Sequence, residues 1–126
     1  MQTLINLTPH PVRVFGNDVP DRFPAGKFDP LTVIEPSGTV ARIGEIDLGT
    51  QHLRNCPVPV EYVEYRHVNG LPEPSRIVGG DHDIWYIVSL ALALAATDRG
   101  DLLVPYREIR DLDGSVIGCR LLARPV

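Results

Sequence analysis

Five side chains combine residue type and position in a way that suits the binding of a small anion: His10, Arg42, Ser89, Arg99 and Arg110. Ser89 stands where a β-branched and aromatic run, Ile84 to Val88, changes to a Leu/Ala run, Leu90 to Ala96. A hydroxyl at such a junction caps a helix, and a helix start offers unpaired amides and a dipole that favours negative charge. His10 lies between Pro9 and Pro11, which force extended backbone around it and remove two amide donors. That suits either the display of an imidazole to a ligand or the ending of an edge strand. Arg99, Arg107 and Arg110 follow the Leu/Ala run, with Asp101 and Asp111 as natural partners. Two arrangements are expected there: internal ion pairs, or a pocket in which Arg42, Arg99 and Arg110 grip an anion by two-pronged guanidinium contacts. Eleven of the twelve basic residues are arginine, Lys27 being the exception, which fits both a GC-rich coding bias and anion recognition.

Other chemistry has less to stand on. Asp81-His82-Asp83 has metal-ligating types, but neighbours in a strand point to opposite faces, so a solvated loop is expected and no metal is assigned. A nucleophilic pair would join His10 as base to Ser89 or Cys119, yet no third group orienting the imidazole is evident from the spacing. GxxxxGK[ST], GxGxxG, HExxH and GxSxG are all absent, so no catalytic residue and no cofactor is assigned. The net charge of −4 argues against a nucleic-acid partner. The longest nearly apolar run, Ile84 to Ala96, is shorter than the roughly 18 residues of a membrane span. Met1 to His10 has no basic segment ahead of an apolar one, and Cys56 and Cys119 lie far apart without a CxxC. A soluble, cytoplasmic protein with reduced thiols is the expectation.

These residues must be positioned by short elements, because prolines and glycines make up about 18% of the 126 residues. Strands are expected at Leu4 to Thr8, Val12 to Phe15 and Leu31 to Glu35, the last forming a hairpin with Thr39 to Ile43 across Pro36-Ser37-Gly38. Gly16 to Pro30 reads as a surface loop anchored by Phe23 and Phe28, and Gly44 to Thr50 as a polar connection. Val60 to Val68 alternates as a strand, and Gly79-Gly80-Asp81 reads as a loop. Ile84 to Val88, a helix over about 89–99 ended at Gly100, and Leu102 to Val104 stopped near Pro105 make a βαβ unit. Tyr106 to Arg110 and Ser115 to Leu122 flank Asp113-Gly114 as a hairpin. About seven or eight strands and one helix predict a single α+β domain over 1–126, mostly β. Its curved or barrel-like mixed sheet would pack around one short buried helix.

Asn6-Leu7-Thr8-Pro9-His10, Pro36 to Arg42, Ile87-Val88-Ser89, Arg99-Gly100-Asp101, Pro105, Arg110-Asp111 and Gly118-Cys119, taken together, resemble a set of small, functionally uncharacterised proteins of bacterial and phage genomes. The resemblance spans nearly the whole chain and implies a stand-alone accessory protein. It brings no activity, ligand or catalytic residue with it. The leading expectation is therefore a binding protein that holds an anionic or nucleotide-like molecule near the helix start, for instance to sequester a signal on behalf of a mobile element. The alternatives are a protein-interaction or oligomer-forming module working through its β edges, and a hydrolase or transferase using His10 with Ser89 or Cys119.

Overall fold

The computed structural model describes residues 2–126, without the side chain of Val78. In chain order the elements are β1 (Thr3–Asn6), β2 (Val12–Val14), β3 (Thr32–Ile34), β4 (Arg42–His52), β5 (Pro59–Asn69), β6 (Ile77–Val78), β7 (Asp81–His82), β8 (Ile84–Ile87), α1 (Leu90–Ala95), β9 (Leu102–Arg110) and β10 (Val116–Ala123). Six strands form one mixed sheet in the order β1-β8-β9-β10-β2-β3. β8 pairs in parallel with both β1 and β9, so the β8–α1–β9 segment is the expected βαβ unit. β9 and β10 pair antiparallel across the expected Asp113-Gly114 turn.

The sheet curls until its two edges meet. Asn6, at the end of β1, bridges to Pro36 just beyond β3, and the Ser37 amide donates to the Asn6 carbonyl at 2.9 Å. This closure is the expected barrel-like, mostly-β α+β architecture. The Asn6 side chain is fully buried and holds the seam together. Its Nδ2 donates to the His10 carbonyl at 2.8 Å and to the Ile34 carbonyl at 2.9 Å, while Oδ1 accepts the Thr8 amide at 2.9 Å. Thr8 Oγ1 lies 2.6 Å from Asn6 Oδ1 and 3.1 Å from the His10 carbonyl, one proton between two acceptors.

Alternation along β8 and β9 sorts the core. Tyr86, Val88, Leu102 and Val104 pack with Leu7, Leu92 and Ala96 under the helix. On the opposite face, Ile87 and Leu103 meet Val12, Ile34, Cys119 and Leu122. A third cluster joins Phe15, Phe23 and Ile109, where Phe23 makes edge-to-face contacts with Phe15 and Phe28. Both expected anchors of the long loop are therefore in place. Gly118 shows how tight this region is. A Cβ there would lie 2.7 Å from the Arg13 carbonyl and 2.5 Å from the Phe15 ring, so any larger residue would force the strands apart.

Several expectations need correction. Leu31 to Glu35 and Thr39 to Ile43 do not form a hairpin: β3 pairs with β2, and the Ala41 amide reaches the Leu7 carbonyl at 2.9 Å. The pairing of Ser37 and Ala41 with the end of β1 and its continuation carries the chain past β3 instead of back along it. Gly44 to Thr50 is no connection but the body of β4, paired with β5 through two register shifts. One shift leaves His67 unpaired at φ 63°, and the other leaves Leu48 unpaired before Gly49 at φ 118°. Gly79-Gly80 is the turn of a small β6–β7 hairpin, both glycines having positive φ as a two-residue hairpin turn requires.

The helix covers 90–95 rather than about 89–99. It ends at Ala96, well short of Gly100, because Thr97-Asp98 favours a turn over helix and the Arg99 amide bonds back to the Ala96 carbonyl. Leu92 and Ala93 are buried, but Leu90 and Leu94 are more than half exposed, so the helix is covered on one side rather than all round. β9 does not stop at Pro105 but runs on to Arg110. Pairing with β8 ends at Leu103, so a residue without an amide hydrogen is accommodated beyond it.

The β9–β10 turn carries an acid-sensitive feature. Asp111 Oδ1 accepts the Asp113 and Ser115 amides, and Asp113 Oδ1 accepts the Ser115 amide at 2.9 Å. The neighbouring Asp111 carboxyl, followed by the Ser115 hydroxyl and amide, lowers the Asp113 carboxyl from the ordinary 3.8 to about 2. The sign follows from a depressed folded value: the stabilisation is present above the unfolded value and is lost as pH falls through about 2. In a two-dimensional NMR titration, the Ser115 amide is expected to shift with a midpoint near 2; a midpoint near 4 would contradict this assignment.

Candidate functional site

Ser89 is the N-cap of α1, with φ −68° and ψ 154°, and its Oγ accepts the Leu92 amide at 3.3 Å. Capping is the junction's local role, as its residue types suggest. Arg42 begins β4 beside it. Thr8, Pro9, Val40, Arg42, Ile43 and Ser89 line a shallow cavity of about 290 Å³, so two of the five candidates share one surface depression.

The other three do not join them. Arg99 follows the far end of α1, where both prongs of its guanidinium are spent on Asp101: Nε donates to Oδ1 at 2.9 Å and Nη2 to Oδ2 at 2.8 Å. Asp101 is completely buried and Arg99 nearly so. The hydrogen bond to Asp101, opposed by burial, raises the Arg99 pKa from its ordinary value. Arg110 is the last residue of β9, at its other end. A nine-residue strand spans about 30 Å, so Arg99 and Arg110 cannot grip one small molecule. Arg110 donates to the Gly114 carbonyl at 2.6 Å and to Glu108 Oε2 at 2.5 Å, bracing the hairpin turn. The internal ion-pair arrangement thus describes Arg99 with Asp101, whereas Arg110 pairs with Glu108 at the surface instead of with the expected Asp111.

His10 lies in a bend rather than in straight extended chain, because Asn6 and Thr8 both reach its carbonyl. Its exposed side chain helps line a different cavity, of about 440 Å³, with Arg13, Pro105 and Cys119. Cys119 is buried, its Sγ donates to the Arg13 carbonyl at 3.7 Å, and burial pushes its thiol pKa up. A thiol held protonated in this way is a poor nucleophile. Among the described residues, no hydrogen bond joins His10 to Cys119 or Ser89, and no group of three or more His, Cys, Asp and Glu is arranged to hold a metal. No helix among them is long and apolar enough to cross a membrane.

Two features escape a residue-by-residue reading. One is Asn6, whose only signal is a polar residue inside an apolar run with Thr8 two positions later. The other is the two-stranded ribbon of β4 and β5. Each strand has eleven residues, so the ribbon reaches about 35 Å. It is rooted by Val68 and Leu71 against the helix-side core and by the Ala41–Leu7 hydrogen bond. Beyond that root, Leu48 (61%), Tyr62 (46%) and Tyr65 (56%) stand exposed, with Leu53 and Val58 at the tip.

Comparison with protein-family models, with curated proteins and with solved structures returns no match. The geometry alone carries the functional argument.

Proposed function

We propose that the protein is an interaction module that assembles with a second copy of itself through the β4–β5 ribbon. The observation that carries this reading is the exposed apolar and aromatic surface of an eleven-residue, two-stranded ribbon with no third strand beside it among the described residues. An isolated hairpin is marginally stable in water, and an unpaired edge is a template for another strand. Lysines commonly blunt such edges, and this ribbon has none.

The β5 edge is the better template. Its register is unbroken from Pro59 to Arg66, whereas the β4 edge is interrupted at Leu48 and Gly49. Pairing about a two-fold axis perpendicular to the ribbon matches residues of the same face. Centred on Val63, it sets Val63 against its own copy, Tyr62 against Glu64, Glu61 against Tyr65 and Val60 against Arg66. No like charges face each other in this register. Acidic groups (Glu45, Asp47, Glu61, Glu64) and basic ones (Arg42, Arg54, Arg66) are also nearly balanced along the ribbon. A stand-alone accessory protein of bacterial or phage origin, working in the cytoplasm with both thiols reduced, is the setting that fits this reading.

Sedimentation velocity tests it. The native chain is expected to run as a dimer at micromolar concentration. Val63→Lys, which sets two ammonium groups face to face, is expected to run as a monomer with an unchanged circular dichroism spectrum. A native chain that stays monomeric up to about 100 μM, weaker than ordinary specific assembly, overturns the proposal.

A further inference from the structure

A second feature lies away from the ribbon, at the corner of the barrel where the chain's single tryptophan meets its last arginine. Trp85 is on the same face of β8 as Ile87 and only partly buried. The Arg124 guanidinium carbon sits 5.6 Å from the centre of the indole, and His82 meets the ring edge-on at 5.6 Å. Gln2, Leu4, Trp85, Leu103 and Arg124 line an open, shallow cavity of about 400 Å³ whose surface is mostly apolar.

Arg124 is exposed, and Gly100 lies against the end of its side chain. A Cβ at this position would lie 3.0 Å from Arg124 Nη2 and 3.7 Å from His82 Nε2, while the Gly100 backbone has no positive φ that would itself call for glycine. The missing side chain leaves room for the arginine. Arg124 also has no carboxylate partner among the described residues: the ion pairs there are Arg66–Glu64, Arg99–Asp101, Arg110–Glu108 and Arg120–Asp21. In a chain of net charge −4, it is a cation held over an aromatic face beside an apolar cavity.

From this arrangement we infer that the Trp85–Arg124 corner binds a small aromatic anion. The ring of the ligand packs against Trp85, Leu4 and Leu103, and its carboxylate or phosphate takes the guanidinium prongs. Aromatic rings favour offset or edge-on packing on indole, and guanidinium matches the geometry of either anion. The cavity is within the size range of small-molecule sites.

Because Trp85 is the only tryptophan, its fluorescence, excited at the red edge where the four tyrosines do not absorb, reports on this corner alone. The full-length protein is titrated with benzoate, with phenyl phosphate and with neutral benzyl alcohol. Saturable quenching by at least one of the two anions, and not by the alcohol, is expected, and the stronger anion identifies the headgroup. Arg124→Gln is expected to weaken binding by at least about tenfold through loss of the charged contact. Gly100→Ala, which displaces the guanidinium, is expected to weaken it severalfold. No saturable change with either anion up to about 10 mM, a generous limit for a specific small-ligand site, overturns the inference. Equal affinity in Arg124→Gln also overturns it. Neither outcome bears on the assembly state of the ribbon, since Trp85 and Arg124 lie outside it.

Discussion

Asp101→Ala is expected to destabilise the protein by about 3–5 kcal/mol, the usual cost of stripping one partner from a buried ion pair. Asp101 is fully buried, and both its carboxylate oxygens are met by Arg99, whose side chain is itself only 12% exposed. Removing the carboxylate leaves a permanently charged guanidinium facing protein rather than water. The damage spreads because the Asp101 carbonyl accepts the Tyr86 amide at 2.9 Å, tying the start of β9 to β8. Urea denaturation followed by circular dichroism gives the measurement. Asp101→Asn is expected to recover only part of the loss, because the amide keeps one acceptor but turns a donor toward Arg99. A change below about 1 kcal/mol in Asp101→Ala would place this pair among weak surface bridges and contradict its burial.

Asn6→Ala is expected to cost about 3 kcal/mol, because each orphaned buried polar group forfeits roughly 1–3 kcal/mol and this side chain serves several. The Ile34 carbonyl loses the Asn6 donor, the Thr8 amide loses its acceptor, and the His10 carbonyl is left with the Thr8 hydroxyl alone. In a domain whose total stability is about 5–15 kcal/mol, that is a large share. A drop in melting temperature of about 10 °C is the expected thermal readout. Asn6→Asp preserves the shape but points a carboxylate oxygen at two carbonyls. It is expected to be no better than alanine at neutral pH. An Asn6→Ala protein that melts with the native one would mean that the β1–β3 seam contributes little to stability.

These two residues also show which parts of the structure were legible in the chain. The β8–α1–β9 unit could be read because its residue types change sharply, from Ile84-Trp85-Tyr86-Ile87 to Leu90-Ala91-Leu92 and on to Leu102-Leu103-Val104. The β9–β10 hairpin could be read because Asp113-Gly114 has strong turn chemistry. β4 could not. A strand writes its alternation through a buried face, and Glu45 to His52 has almost none, so Gly44 and Gly49 look like loop residues. The helix start was legible at Ser89. The placement of the arginines was not, because closeness in sequence says nothing about which end of a nine-residue strand a residue occupies. Asn6 reads as an ordinary polar interruption until the sheet curls and its two edges arrive on either side of it.

The parallel pairing of Thr3 with Ile84 has a consequence for how the molecule comes into being. The partner of β1 is made only after roughly eighty further residues have been synthesised, and such distant pairing slows folding. Until then, Leu4 and Ile5 are exposed to whatever else is in the cell. The β1–β8 pairing can therefore form only after most of the chain has emerged, so nascent molecules are expected to depend on chaperones longer than a helical protein of equal length would.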